Sequence, residues 1–174
     1  MGIQFETDYN METLTAMAKG LRKTVRKKRS RRVHIFAAVV LILGLLTILA
    51  TTAGGEPLGA SGVVTLLAML VVILVSLFED KLNAWFARKR LLPGAEHAVA
   101  TFEEDGYVLA TGVTESRFSY AQIVAVAETA RYFVFALSSC HTQAYDKRTI
   151  RGGSVEDFRA FIAEKAGKLV ENIK

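Results

Sequence analysis

Two unbroken apolar runs, residues 33–53 and 58–78, stand out from flanks in which apolar positions alternate with polar ones or recur every three to four residues. As a helix, a run of this length rises roughly 31 Å at about 1.5 Å per residue, which matches a bilayer's hydrocarbon core. In the first run the only ionisable side chain is His34, at its edge, and the second has none, so no charge opposes insertion. Gly54-Gly55-Glu56-Pro57 between them is a turn signature, which returns the second span antiparallel to the first. The pattern therefore predicts a transmembrane hairpin: helix 33–53, external turn 54–57 and helix 58–78. A secretory signal is a poorer reading of the first run, because its apolar core is too long and follows 32 mostly hydrophilic residues.

The flanks carry other periods. Met11, Leu14, Met17, Leu21 and Val25 recur at helical spacing and predict a basic amphipathic helix over 11–32, its basic face toward lipid. Leu82, Trp85, Phe86 and Leu91, interleaved with Arg88, Lys89 and Arg90, predict an interfacial extension of the second span and a linker over 79–94. Trp85 is the expected membrane-interface anchor there.

Beyond residue 95 the apolar period shortens to two. Strands are expected at 97–102, 107–113, 118–120, 123–128, 132–137 and 142–145, with Asp105-Gly106 at the tip of the first hairpin. The continuous Tyr132-Phe133-Val134-Phe135-Ala136-Leu137 reads as a strand buried on both faces. Gly152-Gly153 breaks the chain, and Ser154 with Asp157 starts a helix expected to reach about residue 172, with Leu169, Val170 and Ile173 in its apolar stripe. Residues 3–9 alternate at period two, so residues 1–10 are expected to add a strand to the sheet of a 95–174 domain. The fold class is thus an α+β membrane protein: a two-helix transmembrane hairpin and a small antiparallel β domain closed by a C-terminal helix.

Charge orients this arrangement. Nine Lys and Arg fall in residues 19–32, four more in 81–90 and none between the spans, which places both termini in the cytoplasm. The net charge of +5 is therefore a juxtamembrane property. Arg26, Lys27, Lys28, Arg29, Arg31 and Arg32 would suit nucleic acid in another setting, but directly beside a span they are explained by topology and by anionic lipid headgroups. No nucleic-acid partner is expected. Lys147, Arg148 and Arg151 form a second candidate contact for anionic lipid, whereas Glu103-Glu104-Asp105 makes the first hairpin loop repel it.

Little chemistry is visible. Cys140 is the only cysteine, so no internal disulfide is available and a reducing compartment is expected. Its neighbour His141 would point to the opposite face of a strand, which argues against a nucleophile and base pair. No zinc-binding H-E-x-x-H, nucleophile elbow or phosphate-cradling glycine motif occurs. The expectation is a chain with no catalytic residue, cofactor or metal: not an enzyme. The spans hold no Asp, Glu, Lys or Arg to mark an ion path, while Thr47-x-x-x-Thr51 and Ala50-x-x-x-Gly54 offer small-residue contacts within the hairpin or in a homo-oligomer.

The whole order, an N-terminal strand, a basic helix, a two-span hairpin and a β domain holding Phe118-Ser119-Tyr120-Ala121-Gln122-Ile123-Val124-Ala125-Val126-Ala127-Glu128 and Tyr132-Phe133-Val134-Phe135 before a closing helix, resembles the YcxB-like proteins of bacteria along essentially the full chain. That resemblance implies a pleckstrin-homology-like (PH-like) C-terminal domain and carries no catalytic residues. The chain departs from the family's basic strand end, where Asp146 rather than a proline precedes Lys147-Arg148. The expected function is a non-enzymatic protein of the bacterial plasma (inner) membrane that displays a cytoplasmic binding or scaffolding domain. The alternative is a small accessory subunit of a transporter or of a homo-oligomeric membrane assembly.

Overall fold

The computed structural model describes residues 2–55 and 59–173. Glu56 and Pro57 of the expected turn, and Leu58 of the expected second span, lie outside the described residues.

Two four-stranded sheets form the body. Strands β1 (Ile3–Asp8), β2 (His97–Phe102), β3 (Tyr107–Thr111) and β4 (Glu115–Phe118) make one antiparallel sheet in that order. Strands β5 (Ala125–Glu128), β6 (Tyr132–Ala136), β7 (Thr142–Asp146) and β8 (Val170–Asn172) make the other, in the order β7-β6-β5-β8, with β8 parallel to β5. The first ten residues join the fold through β1, which runs antiparallel to β2 from Ile3 opposite Phe102 to Asp8 opposite His97. Its period-two pattern buries Ile3, Phe5 and Thr7.

Both sheets and helix α5 (Val155–Ala166) share one aromatic core. Phe158 of α5 is fully buried, its ring centroid 4.6 Å from Phe5, 4.8 Å from Phe102 and 5.0 Å from Phe133. Ser154 and Asp157 form the expected capping box at the start of α5. The helix does not reach residue 172. Gly167 ends it in the left-handed region at φ +59°, a conformation glycine adopts without cost. Beyond it Leu169 is 89% exposed, while Ile173 packs on the opposite face of the second sheet.

That opposite face is covered by helix α1 (Met11–Lys23). Asn10 caps it, its side-chain oxygen accepting from the Glu12 and Thr13 amides at 2.9 and 3.0 Å. Ala16 and Met17 rest on Ala127, Tyr132, Val134 and Ala144. The approach is close: a Cβ on Gly20 would stand 2.7 Å from a methyl of Val134. Thus β6 is buried on both faces, by the aromatic core inside and α1 outside.

The basic segment is not one helix. Thr24 hydrogen-bonds its hydroxyl back to the Gly20 carbonyl at 2.7 Å and leaves helical geometry, so the chain breaks at 24–26 and restarts as α2 (Lys27–Ala53). Helix α3 (Ala60–Leu77) packs on α2, with Met69 seated where a side chain on Gly44 would stand. Both are long and apolar enough to cross a membrane, and neither has a buried residue in this body. Residues 79–94 do not extend the second span. The chain breaks at Phe78, and α4 (Glu79–Lys89) packs on α1 with Ala84 fully buried. Arg22 of α1 donates twice to Asp80 of α4, both at 2.7 Å. The globular body therefore takes in β1, α1 and α4 as well as the expected 95–174 segment, and the apolar hairpin is an insertion between α1 and α4.

Candidate functional site

The base of the hairpin gathers most of the candidate residues. Arg26, in the break before α2, turns toward the sheet: its Nε donates to the Ser139 carbonyl at 2.6 Å and a terminal nitrogen lies 3.6 Å from Cys140 Sγ. It is thus a clamp between α2 and the β6–β7 turn. Lys27, Lys28, Arg29, Arg31 and Arg32 are exposed on the first turns of α2, free to meet anionic groups. Across the base, Glu79 lies 3.8 Å from His34 and 3.9 Å from Arg22. Trp85 is 44% exposed on α4, with Lys89 Nζ 3.6 Å from its ring centroid. That pair combines a flat apolar ring with a cation, the composition of an interfacial anchor.

The second basic group is committed elsewhere. Lys147 is mostly buried, donating to Glu128 at 2.9 Å and to the Thr129 carbonyl at 2.7 Å, so its ammonium is already engaged within the body. Arg148 is exposed but folded back on Asp146, 2.9 Å away, and Arg151 lies 3.1 Å from Glu6. The three residues serve as carboxylate partners at the sheet ends, a pairing that their spacing along the chain could not disclose.

Glu128 is the hub of that pairing. Its carboxylate also receives both arms of Arg159 from α5, each at 2.7 Å. Hydrogen bonds from Arg159, opposed by burial and joined by Lys147, hold its carboxyl below the ordinary value. A lowered folded-state pKa adds stability above the unfolded value of about 4.3, lost as pH falls through the folded value. Thermal melts of the wild type and Glu128→Gln should therefore differ most near neutrality and converge as the pH falls from the unfolded value of about 4.3 through the lowered folded one. A gap that stays constant on acidification would assign the stabilisation to packing.

Cys140 and His141 sit exposed in the β6–β7 turn rather than on a strand. Hydrogen bonds from Ser139 and then Arg26 lower the Cys140 pKa, and His141 turns toward Phe118 with ring centroids 6.4 Å apart. Among the described residues no three His, Cys, Asp or Glu side chains gather as a metal cluster.

The remaining feature is an edge. Strand β4 ends the first sheet, and its ladder with β3 puts Thr111 opposite Thr114, the Thr111 amide donating to the Thr114 carbonyl at 2.7 Å. Alternation along an antiparallel pair then turns the amides of Ser116 and Phe118 toward β3 and those of Glu115 and Arg117 outward. The outward groups have no backbone partner among the described residues. This is the open side of the sheet.

Residues 102–162 match the family model described as YcxB-like protein, a segment running from the end of β2 into α5. The resemblance read along the whole chain is thus matched from the end of β2 through β7 and into α5, and not over β1, the helical hairpin or β8. No curated protein and no solved structure matches the chain.

Proposed function

We propose that this YcxB-like chain is a non-enzymatic protein of the bacterial plasma membrane, anchored by α2 and α3, which holds a PH-like binding module against the cytoplasmic face. The observation that carries the reading is the hairpin itself. Two antiparallel helices with exposed apolar side chains leave the body between α1 and α4, with the cations of α2 at one end and Trp85 exposed on α4. In water such a surface is unstable, and in a bilayer it is the ordinary lipid-facing one. The cations at the base suit the anionic headgroups of the cytoplasmic leaflet. Two four-stranded sheets with α5 in their shared core support the PH-like reading.

The open edge of β4 supports binding of an extended protein segment by strand addition. An accessory-subunit role differs in one respect: its contacts would lie on the hairpin. Labelling with a membrane-impermeant maleimide tests the anchor. In intact cells a Gly55→Cys, Cys140→Ser variant should react while the native Cys140 should react only after permeabilisation. The reverse pattern would overturn the orientation. For the binding role, Arg117→Pro deletes an outward amide at a position where an edge strand tolerates proline. A partner co-purified with the full chain in mild detergent should be lost from Arg117→Pro and kept by Arg117→Ala. A partner kept by both would move the contact to the hairpin and favour the accessory role.

A further inference from the structure

A groove of about 510 Å³ runs along α1, opposite the β5–β6 turn, a volume within the roughly 300–1,000 Å³ of small-molecule sites. Its walls are Met11 and Ala16 of α1, Ala130 of the turn, Tyr132 at the start of β6, and Ile173 beyond β8. At one end, Glu12 and Arg131 neutralise each other as an ion pair, and Arg131 also holds Asp146 at 2.8 Å. Lys19 and Lys81 also line the groove. Among the described residues neither has a carboxylate within salt-bridge distance. The Lys81 ammonium lies 5.7 Å from the centroid of the Phe78 ring.

The position of these lysines gives the groove a direction. Lys81 follows the end of α3 by four residues, and Lys19 lies one turn before the end of α1, where that helix is tied to Asp80. The lysine end therefore faces the base of the hairpin and the Glu12–Arg131 end faces away from it. An apolar trough whose only unpaired charges are two cations at its membrane-side mouth suits one chemistry: a single hydrocarbon chain with an anionic head.

We infer that this groove takes a fatty acid drawn from the adjoining leaflet, its chain along α1 and its carboxylate held by Lys19 and Lys81. A fatty acid suits it better than a diacyl lipid, because one trough houses one chain. The inference rests on the membrane anchoring proposed above, since the bilayer is the source of the ligand. It gives the cytoplasmic body a state that depends on free fatty acid in the membrane.

The test uses the full chain in phosphatidylcholine nanodiscs with a diazirine-bearing palmitic acid, irradiated and mapped by peptide mass spectrometry. Labels on α2 and α3 report anchoring and serve as the internal reference. Labels on residues 11–19 and 129–132 report the groove. The expected result is saturable labelling of the groove peptides, reduced at least fivefold in Lys19→Gln, Lys81→Gln and for the methyl ester of the same probe, with hairpin labelling unchanged. Hairpin labels without groove labels, or equal groove labelling by acid and ester, would overturn the inference and leave the anchor standing. A chain that fails to enter nanodiscs and carries no hairpin label would overturn the anchor and the inference with it.

Discussion

Replacing residues 24–78 by a short glycine-serine linker should transfer the protein quantitatively from the membrane fraction to the soluble one, with the globular body still folded. The reason lies in where the hairpin enters. Helices α1 and α4 pack antiparallel, and the Arg22–Asp80 pair brings the two ends of the excised segment together. A loop of a few residues spans such a junction at small entropic cost, since closure depends only logarithmically on length. What the body would lose is narrow: the Arg26 clamp on Ser139 and the His34–Glu79 contact, both at or near the surface. A cooperative thermal transition and dispersed amide resonances from the soluble product would confirm the prediction. An aggregated or molten product would show that the hairpin is part of the body's core.

The second large effect is expected at Phe158. It is the one aromatic of α5 whose ring meets Phe5, Phe102 and Phe133 together, so it joins the first sheet, the second sheet and the helix at a single point. Phe158→Ala removes that ring from a fully buried site and should cost about 3–5 kcal/mol. In a domain of this size that lowers the melting temperature by at least about 10 °C. Phe161→Ala is the internal comparison, because Phe161 lies at the core's margin and only partly buried. Denaturant unfolding of both variants decides the matter: equal losses would mean that Phe158 has no special place in the core.

Which features were legible in the chain follows from how local their causes are. The apolar length of α2 and α3, the Ser154–Asp157 cap and the alternation in β1 and β2 each depend on residues close together, and each stands out in the sequence. The body's boundary did not, because it is set by a contact between α1 and α4 across an inserted hairpin. No periodicity within either helix announces its partner. The buried strand β6 makes the point sharply: its continuous apolar run signalled cover on both faces, yet only the fold identifies the outer cover as α1. Gly167 carries a local stop signal, but Leu169, Val170 and Ile173 continue the helical period beyond it; in the fold Leu169 is exposed, Val170 lies in β8 and Ile173 lines the groove. At the candidate site the exposed cations of α2 follow from adjacency to a span. The removal of Lys147 into the Glu128 network is a tertiary event, formed with Arg159 from a different element.

The insertion of the hairpin also fixes an order of events during synthesis. Strand β1 emerges first, but the strand it pairs with lies far behind it: Asp8 and His97, in contact at 2.8 Å, are 89 positions apart. Until the second helix of the hairpin has returned the chain, β1 and α1 have apolar faces and no sheet to cover. On the topology proposed above, insertion of the hairpin precedes folding of the body, and the hairpin does the work of a template by bringing α1 and α4 side by side before β2 has left the ribosome. A slow or misdirected insertion would leave the first 23 residues exposed to proteases, so the abundance of the folded body becomes a readout of how faithfully the hairpin was inserted.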